Sequence, residues 1–155
     1  MRRKDREVSG ISEIRAIVER NQVCRIAVVD EGKPYIIPMN FGFAEENDCF
    51  TIYLHCAKVG RKIDILKKNA NICFEVDGAH ELTEEETACE YSYNYESVVG
   101  FGKAEFVTET EEKKFGLNRV MWQCTKKDGF TFEEKALNAV CVIKIKLEKL
   151  KGKRR

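Results

Sequence analysis

The segment from Tyr53 to Lys62 combines small, polar and cationic residues where a predicted strand meets a predicted helix. The first turn of a helix has unpaired backbone N–H groups and a partial positive charge, so it binds phosphate readily. Gly60 would let the backbone approach an anion, and Arg61 and Lys62 would add two full charges. The pattern therefore indicates a phosphate site. The alternative is that both cations only form the solvated face of an amphipathic helix, as charged residues usually do.

His55, one of the two histidines in the chain, stands at the end of the same predicted strand. An imidazole titrates near neutral pH, so beside a bound cofactor it could donate a hydrogen bond or a proton to a substrate. It could equally close the strand end and pack against a ring without taking part in chemistry. His80 lies in an acidic stretch and is expected at the surface.

Hydrophobic periodicity predicts the helices and strands that position these residues. Helices are predicted at residues 12–21, 60–69 and 111–123. Strands are predicted at residues 23–30, 35–43, 49–55, 72–76, 90–107 and 139–147, the fifth of them as one strand or two. An exposed loop or short helix is expected at residues 80–90, a link at 125–134 and a frayed basic tail at 148–155.

The predicted connections favour a mostly β fold. Short turns between the first three strands predict an antiparallel meander, and the remaining hairpin-like connections favour an antiparallel barrel over a parallel α/β sheet. The chain contains no internal repeat and no linker of low complexity. We therefore expect one domain over residues 1–155.

Composition limits the class of partner. The chain has 155 residues, 27 Lys and Arg against 26 Asp and Glu, and a formal net charge of +1. This balance gives no general attraction to nucleic acid or to anionic membranes. No apolar stretch approaches the roughly 20 residues of a membrane helix, and the first residues lack the apolar run of a secretory signal. We expect a cytoplasmic protein with neither kind of partner.

The seven cysteines are an odd number, widely spread, and none forms a CxxC pair. Zinc sites and disulfide frameworks show tighter spacing. Five cysteines lie inside or beside apolar runs that resemble strands: Cys24, Cys49, Cys56, Cys73 and Cys141. A reduced thiol in such a place behaves as a small hydrophobic group, so we expect buried, reduced cysteines and no metal site.

Four segments, in this order and spacing, resemble the pyridoxamine-phosphate-oxidase-like flavoproteins, and within them the nitroimidazole-resistance branch. They are VCRIAVVD at 23–30, PYIIPMNFG at 34–42, YLHCA at 53–57 with GRK at 60–62, and YESVVGFGKA at 95–104. The resemblance extends over nearly the whole chain. It implies a six-stranded antiparallel split β-barrel that forms a homodimer and binds FMN at two sites in the dimer interface.

The resemblance also assigns residues to the flavin. The segment that would line the isoalloxazine ring is Pro38, Met39, Asn40 and Phe41. The segment that would run from the ring to the phosphate is His55, Cys56, Ala57, Gly60, Arg61 and Lys62. Ser97, Val98 and Val99 would lie close to the flavin on a neighbouring strand. Trp122, in the predicted helix at residues 111–123, would approach the flavin of the partner subunit.

The chain differs at one position from the motif of the nitroimidazole-resistance branch, which has serine where this chain has Cys56. A thiol donates hydrogen bonds more weakly than a hydroxyl, so one contact to the phosphate or the ribityl chain is in doubt. Oxidation of pyridoxamine phosphate would need additional cationic residues for the phosphate of that substrate, and the sequence shows no second cluster placed for it. Oxidation of that compound is therefore not expected.

The function implied by the resemblance is an FMN-dependent oxidoreductase that reduces small nitroaromatic or nitroimidazole acceptors, with His55 as the catalytic residue. The chain has no GxGxxG motif, so a reduced pyridine nucleotide would visit the flavin only transiently as electron donor. Two alternatives stay open. The protein could be a non-catalytic flavin- or haem-binding sensor, carrier or store, with His55 as axial haem ligand. The site could also hold a deazaflavin, or nothing.

Overall fold

The computed structural model describes residues 3–155. A 3₁₀ turn at Lys4–Arg6 precedes four α-helices: α1 (Ile11–Arg20), α2 (Arg61–Lys68), α3 (Thr110–Thr125) and α4 (Glu134–Ala139). The eight strands are β1 (Glu7–Val8), β2 (Val23–Asp30), β3 (Lys33–Asn40), β4 (Gly42–Glu46), β5 (Cys49–Ala57), β6 (Asn71–Thr83), β7 (Ser92–Phe106) and β8 (Val140–Arg154). Among these residues, no helix is both long enough and apolar enough to span a membrane.

All eight strands belong to one antiparallel sheet. Its order is β3-β2-β6-β7-β8-β5-β4, and β1 pairs with the far end of β8. The larger of two buried cores takes side chains from both halves of this sheet, so the sheet curves around it. Over residues 3–155 no ladder joins β3 to β4, and the barrel stays split at that point. The predicted split β-barrel is confirmed, with eight strands instead of six.

The predicted meander of the first three strands is wrong. The segment predicted as one strand at 35–43 is interrupted at Phe41, whose ring is fully buried. Before the interruption β3 pairs with β2, and after it β4 pairs with β5. Burial of the Phe41 ring turns the chain from one hairpin into the next, so β3 and β5 never become neighbours in the sheet.

Two segments predicted to be irregular are strands. The tail predicted to be frayed is the end of β8, which pairs with β7 and with β1 up to Arg154. The loop predicted at 80–90 begins as the end of β6, which continues to Thr83 past a bulge between Gly78 and Glu81. Pairing with β7 satisfies the backbone at the end of β6, and pairing with β7 and β1 satisfies that at the end of β8. Most side chains in these two segments are polar, so hydrophobic patterning does not reveal the strands. His80 is exposed as expected, although it lies in a strand.

The cysteines differ in burial. All seven are free thiols, and Cys24 is fully buried as predicted. Cys49 is a correction, since it is exposed as the first residue of β5, opposite Glu46 in the β4–β5 hairpin. Because Cys49 lies beside the turn of this hairpin, its side chain is exposed although an apolar run follows it in the sequence.

The two faces of β5 and β8 contact different cores. The barrel interior receives Phe50, Ile52 and Leu54 from β5, whereas Tyr53 belongs to a smaller core between the sheet and helices α3 and α4. Successive side chains of a strand alternate between its faces. His55 consequently faces the helices, and Cys56 packs against the barrel core.

Helix α3 lies unusually close to the sheet because two glycines leave space for it. A Cβ on Gly42 would lie 2.2 Å from the backbone carbonyl carbon of Arg119, and a Cβ on Gly116 would lie 2.6 Å from Tyr53 Cδ1. The Nε of Arg119 also donates to the Phe43 carbonyl oxygen at 2.9 Å. These contacts fix α3 against β4 and β5, beside the strand that carries His55.

Candidate functional site

The predicted phosphate site lies in the link between β5 and the start of α2. Gly60 precedes α2 with φ of 127° and ψ of 167°, a conformation that residues with a Cβ rarely adopt. Its carbonyl oxygen accepts the N–H groups of Ile63 (2.9 Å) and Asp64 (3.2 Å). No side chain of the described residues caps α2, and a Cβ on Gly60 would meet no atom within 4 Å. The first turn of α2 is therefore open to an anion.

Arg61 is held by the β2–β3 hairpin. Its Nε donates to Asp30 Oδ2 at 3.0 Å, and its guanidinium carbon lies 4.3 Å from the centroid of the Tyr35 ring. The side chain is nevertheless 63% exposed. Because a guanidinium carries five N–H donors, the contact with Asp30 leaves donors for an anion at the start of α2.

Lys62 connects the first turn of α2 to the end of β3. Its Nζ lies 3.7 Å from Met39 Sδ. Burial raises the pKa of the Cys56 thiol, and the positive charge of Lys62 opposes that rise. The structure thus brings four of the predicted residues together from three elements: Met39, His55, Cys56 and Lys62.

His55 is exposed at the end of β5 and has a pKa below its ordinary value. Loss of hydration against the surrounding protein is the larger cause, and the charge of Lys62 adds to it. A lowered pKa means that the imidazole is mainly neutral at neutral pH. In that form one ring nitrogen donates a hydrogen bond and the other accepts one.

An apolar cavity of about 200 Å³ opens beside His55. Its other walls come from α3, α4 and the segments that flank α4: Leu117, Val120, Met121, Phe132, Ala136, Leu137 and Val140. His55 is the only side chain of this lining that can exchange a proton near neutral pH. The arrangement can hold a small apolar ring against a neutral imidazole, next to a helix start that can hold a phosphate.

Other predicted residues lie at the edges of this group. Ala57 ends β5 and is exposed, opposite Val140 in β8. Pro38 and Asn40 are exposed on the outer face of β3. The ring of Phe41 lies inside the barrel against Phe74, with centroids 5.7 Å apart, so its side chain cannot reach a ligand outside.

The residues predicted on the neighbouring strand are not part of the group within one chain. Ser97, Val98 and Val99 lie on β7, and β2 and β6 separate them from β3 in the sheet. Three strand spacings amount to about 14 Å. The side chain of Val98 is fully buried in the core, whereas those of Ser97 and Val99 are partly exposed on the outer face.

Trp122 also lies apart from the cavity. The guanidinium carbon of Arg119 lies 4.9 Å and the Nζ of Lys126 lies 4.3 Å from the centroid of its ring. The ring packs against the barrel core, while its neighbours Val120 and Met121 line the cavity at His55. Within one chain Trp122 therefore contacts cations and not the candidate site.

Sequence analysis missed the walls of the cavity. Helix α3 was predicted at residues 111–123, but no helix was predicted at α4, most of which falls between the predicted link at 125–134 and the predicted strand at 139–147. Leu137 and Phe132 line the cavity because α4 folds back against α3. Hydrophobic periodicity within one segment does not show which other segment it contacts. No group of three or more His, Cys, Asp or Glu side chains within residues 3–155 is arranged to hold a metal ion.

Comparisons with known proteins show which family and which solved structures the chain resembles. The model of the pyridoxamine 5'-phosphate oxidase family matches residues 11–154. No curated protein matches the chain. A solved structure of a candidate 5-nitroimidazole antibiotic resistance protein from Bacteroides thetaiotaomicron is 36% identical, with a TM-score of 0.83. The match covers 96% of this chain and 86% of that one.

Two more distant structures share the fold. A flavocytochrome from Azotobacter vinelandii is 20% identical with a TM-score of 0.79, over 100% of this chain and 72% of that one. An FAD- and haem-binding protein from Mycobacterium smegmatis is 16% identical with a TM-score of 0.80, over 96% and 73%. At these identities the likeness concerns the fold alone.

Proposed function

The chain belongs to the pyridoxamine 5'-phosphate oxidase family, and from this premise we propose that it is an FMN-dependent oxidoreductase that reduces small nitroaromatic acceptors. The observation that carries the proposal is the position of His55, between an apolar cavity of about 200 Å³ and the cationic start of α2. The 36% identical Bacteroides protein, named for 5-nitroimidazole resistance, supports the acceptor class.

The residues present fit a flavin phosphate. Gly60 leaves the start of α2 without a side chain in front of it, and Arg61 and Lys62 place two cations there. These groups would hold the phosphate through backbone N–H groups and charge-assisted hydrogen bonds. FMN, when bound, supplies the electron transfer to the acceptor. A reduced pyridine nucleotide that visits the site is the proposed electron donor.

His55 would orient the acceptor. At neutral pH its imidazole is mainly neutral, so its N–H can donate a hydrogen bond to a nitro oxygen without a second positive charge beside Lys62. The apolar walls would exclude water from the acceptor ring. A volume of about 200 Å³ is below the roughly 300–1,000 Å³ of pockets for drug-sized ligands. The cavity therefore suits a single aromatic ring.

A second copy of the chain would complete the flavin site. Strand register places four apolar side chains in one row across the outer face of β3, β2, β6 and β7: Ile36, Ala27, Cys73 and Phe101. Ile36 is 61% and Phe101 is 53% exposed. Exposed apolar groups that form a continuous patch mark interaction surfaces. One neighbouring row on this face contains the predicted flavin residues Pro38 and Val99 at its two ends, which fits a flavin in the interface of a homodimer.

The first experiment is an absorption spectrum of the purified protein with mass spectrometry of whatever is released on denaturation. We expect the bands of an oxidised flavin, FMN in the supernatant, and oxidation of a reduced pyridine nucleotide that depends on a nitroimidazole. A deazaflavin in the supernatant would change the cofactor but keep its phosphate site.

Three results would contradict the proposal. A colourless protein that does not bind added FMN would exclude a flavin site. A flavin-bound protein inert with every donor and acceptor would instead be a flavin carrier or sensor. A single intense haem band would make His55 a candidate iron ligand, the alternative that the two haem-containing structural neighbours raise.

A further inference from the structure

Two cysteines from distant parts of the chain face each other beside the candidate site. Cys56 of β5 is the direct partner of Cys141 of β8 in the antiparallel ladder. Directly opposed residues in such a ladder have Cα atoms about 4.5–5.5 Å apart, which lies within the roughly 4.4–6.8 Å of disulfides. Both residues are free thiols, both are half-buried, and both pack against the barrel core.

The two thiols lie close enough to influence each other's ionisation. Burial raises the pKa of Cys56, and the Cys141 thiol raises it further. Burial also raises the pKa of Cys141, while the contact with Cys56 opposes that rise. Four lysines surround the pair and favour its thiolates: Lys62 near Cys56, and Lys58, Lys67 and Lys113 near Cys141.

We propose that Cys56 and Cys141 form a reversible dithiol–disulfide couple that reacts with small disulfides such as oxidised glutathione. One thiol loses its proton to solvent, and its thiolate attacks a sulfur of the small disulfide. This step forms a mixed disulfide and releases one small thiolate, which takes up a proton. The second cysteine, deprotonated in turn, attacks the protein sulfur of the mixed disulfide and releases the second small thiolate. The protein loses two electrons and two protons, and the small disulfide gains them.

The couple adjoins the cavity without lining it. The chain neighbours of the two cysteines, His55 and Val140, lie on the opposite face of the same two strands and form part of the cavity wall. A bond between Cys56 and Cys141 would tie the end of β5 to the start of β8. The redox state of the pair can thereby restrain the strand that carries His55, whether or not a flavin is bound.

The test uses the full-length wild-type protein, so it does not depend on a variant that folds. The reduced protein is incubated with oxidised glutathione, free thiols are blocked with iodoacetamide, and tryptic peptides are mapped without reductant. We expect one cross-link, between residues 26–58 and the peptide that contains Cys141, which dithiothreitol removes. Glutathione adducts without this cross-link would overturn the proposal.

Two variants make the assignment specific. Because Cys49 shares its tryptic peptide with Cys56, the cross-link must persist in Cys49→Ser and disappear in Cys56→Ser, which should keep a glutathione adduct on Cys141. Loss of the cross-link in Cys49→Ser would overturn the assignment.

Phenylarsine oxide, which bridges two nearby thiols, gives a second readout. We expect the reduced protein to bind it and Cys141→Ala to lose that binding, with Cys73→Ser as the half-buried control that retains it.

Discussion

The Arg61 guanidinium at the start of α2 lies 3.0 Å from the carboxylate of Asp30, which ends β2 and precedes Arg61 by 31 positions. The same guanidinium lies 4.3 Å from the centroid of the Tyr35 ring. The first cation of α2 is thus positioned by β2 and β3, and a carboxylate stands beside the helix start that is proposed to bind a phosphate. A bound anion would be attracted by Arg61 and repelled by Asp30.

Asp30→Asn is expected to strengthen FMN binding, because it removes a negative charge beside the phosphate and keeps the size of the side chain. An exposed charge interaction is worth about 1 kcal/mol at most, which corresponds to roughly fivefold in affinity. Fluorescence titration of the apoprotein measures the change. Riboflavin, which lacks the phosphate, serves as the control ligand and should bind equally to both proteins. Weaker FMN binding would mean that Asp30 acts mainly by orienting Arg61.

The double variant Arg61→Ala with Lys62→Ala tests the phosphate assignment itself. FMN binding should weaken by several kcal/mol, since each charge-assisted contact contributes roughly 1.5–3 kcal/mol. Lys67→Ala with Lys68→Ala removes the same charge from the last turn of α2 and should have little effect. Equal FMN affinity in the Arg61 and Lys62 double variant would remove these residues from the site.

Lys62→Gln is expected to raise the pKa of His55. The positive charge of Lys62 disfavours the imidazolium, so its removal shifts protonation to higher pH, while loss of hydration against the surrounding protein still holds the pKa below its ordinary value. NMR titration of the histidine ring protons in the apoprotein measures this directly, with His80→Gln to assign the two histidines. Lys58→Gln is the control from the adjoining link. A His55 pKa that is unchanged or lower in Lys62→Gln would contradict the proposed proximity.

Phe101→Glu should convert the proposed homodimer into a monomer. The substitution places a charge in the apolar row across β3, β2, β6 and β7, where it would lose its hydration in an interface. Light scattering coupled to size exclusion measures the mass. Leu82→Glu changes another exposed apolar side chain, outside the row, and should stay dimeric. A wild-type protein that is monomeric at all concentrations would exclude this interface.

Gly42→Ala should destabilise the fold and loosen α3. The new Cβ would lie 2.2 Å from the backbone carbonyl carbon of Arg119, so α3 must move away from β4. Overpacking of this kind costs about 1–3 kcal/mol. Thermal unfolding followed by circular dichroism gives the change. Gly10→Ala is the control, because its Cβ would meet only the side chain of Glu13, at 3.1 Å. Equal melting temperatures for Gly42→Ala and wild type would show that α3 is not fixed by this contact.

The sequence by itself determined the local elements and the cationic helix start. A strand was predicted at residues 23–30 around the continuous apolar run at 26–29, and β2 has these bounds in the structure. Gly60, Arg61 and Lys62 stand at the predicted start of α2, because a glycine followed by an amphipathic run is a local signal. Local patterning favoured an antiparallel barrel, and the resemblance of the four segments to a known family implied that this barrel is split.

Only the tertiary structure decided which of these elements meet. Cys56 and Cys141 are far apart in the chain, and nothing in their own segments indicates that β5 pairs with β8. The cavity at His55 forms because α4 folds onto α3, and the contact of Arg61 with Asp30 forms because α2 packs beside the β2–β3 hairpin. Hydrophobic periodicity records which face of a segment is buried, whereas the partner of that face is selected by burial and backbone pairing over the whole chain.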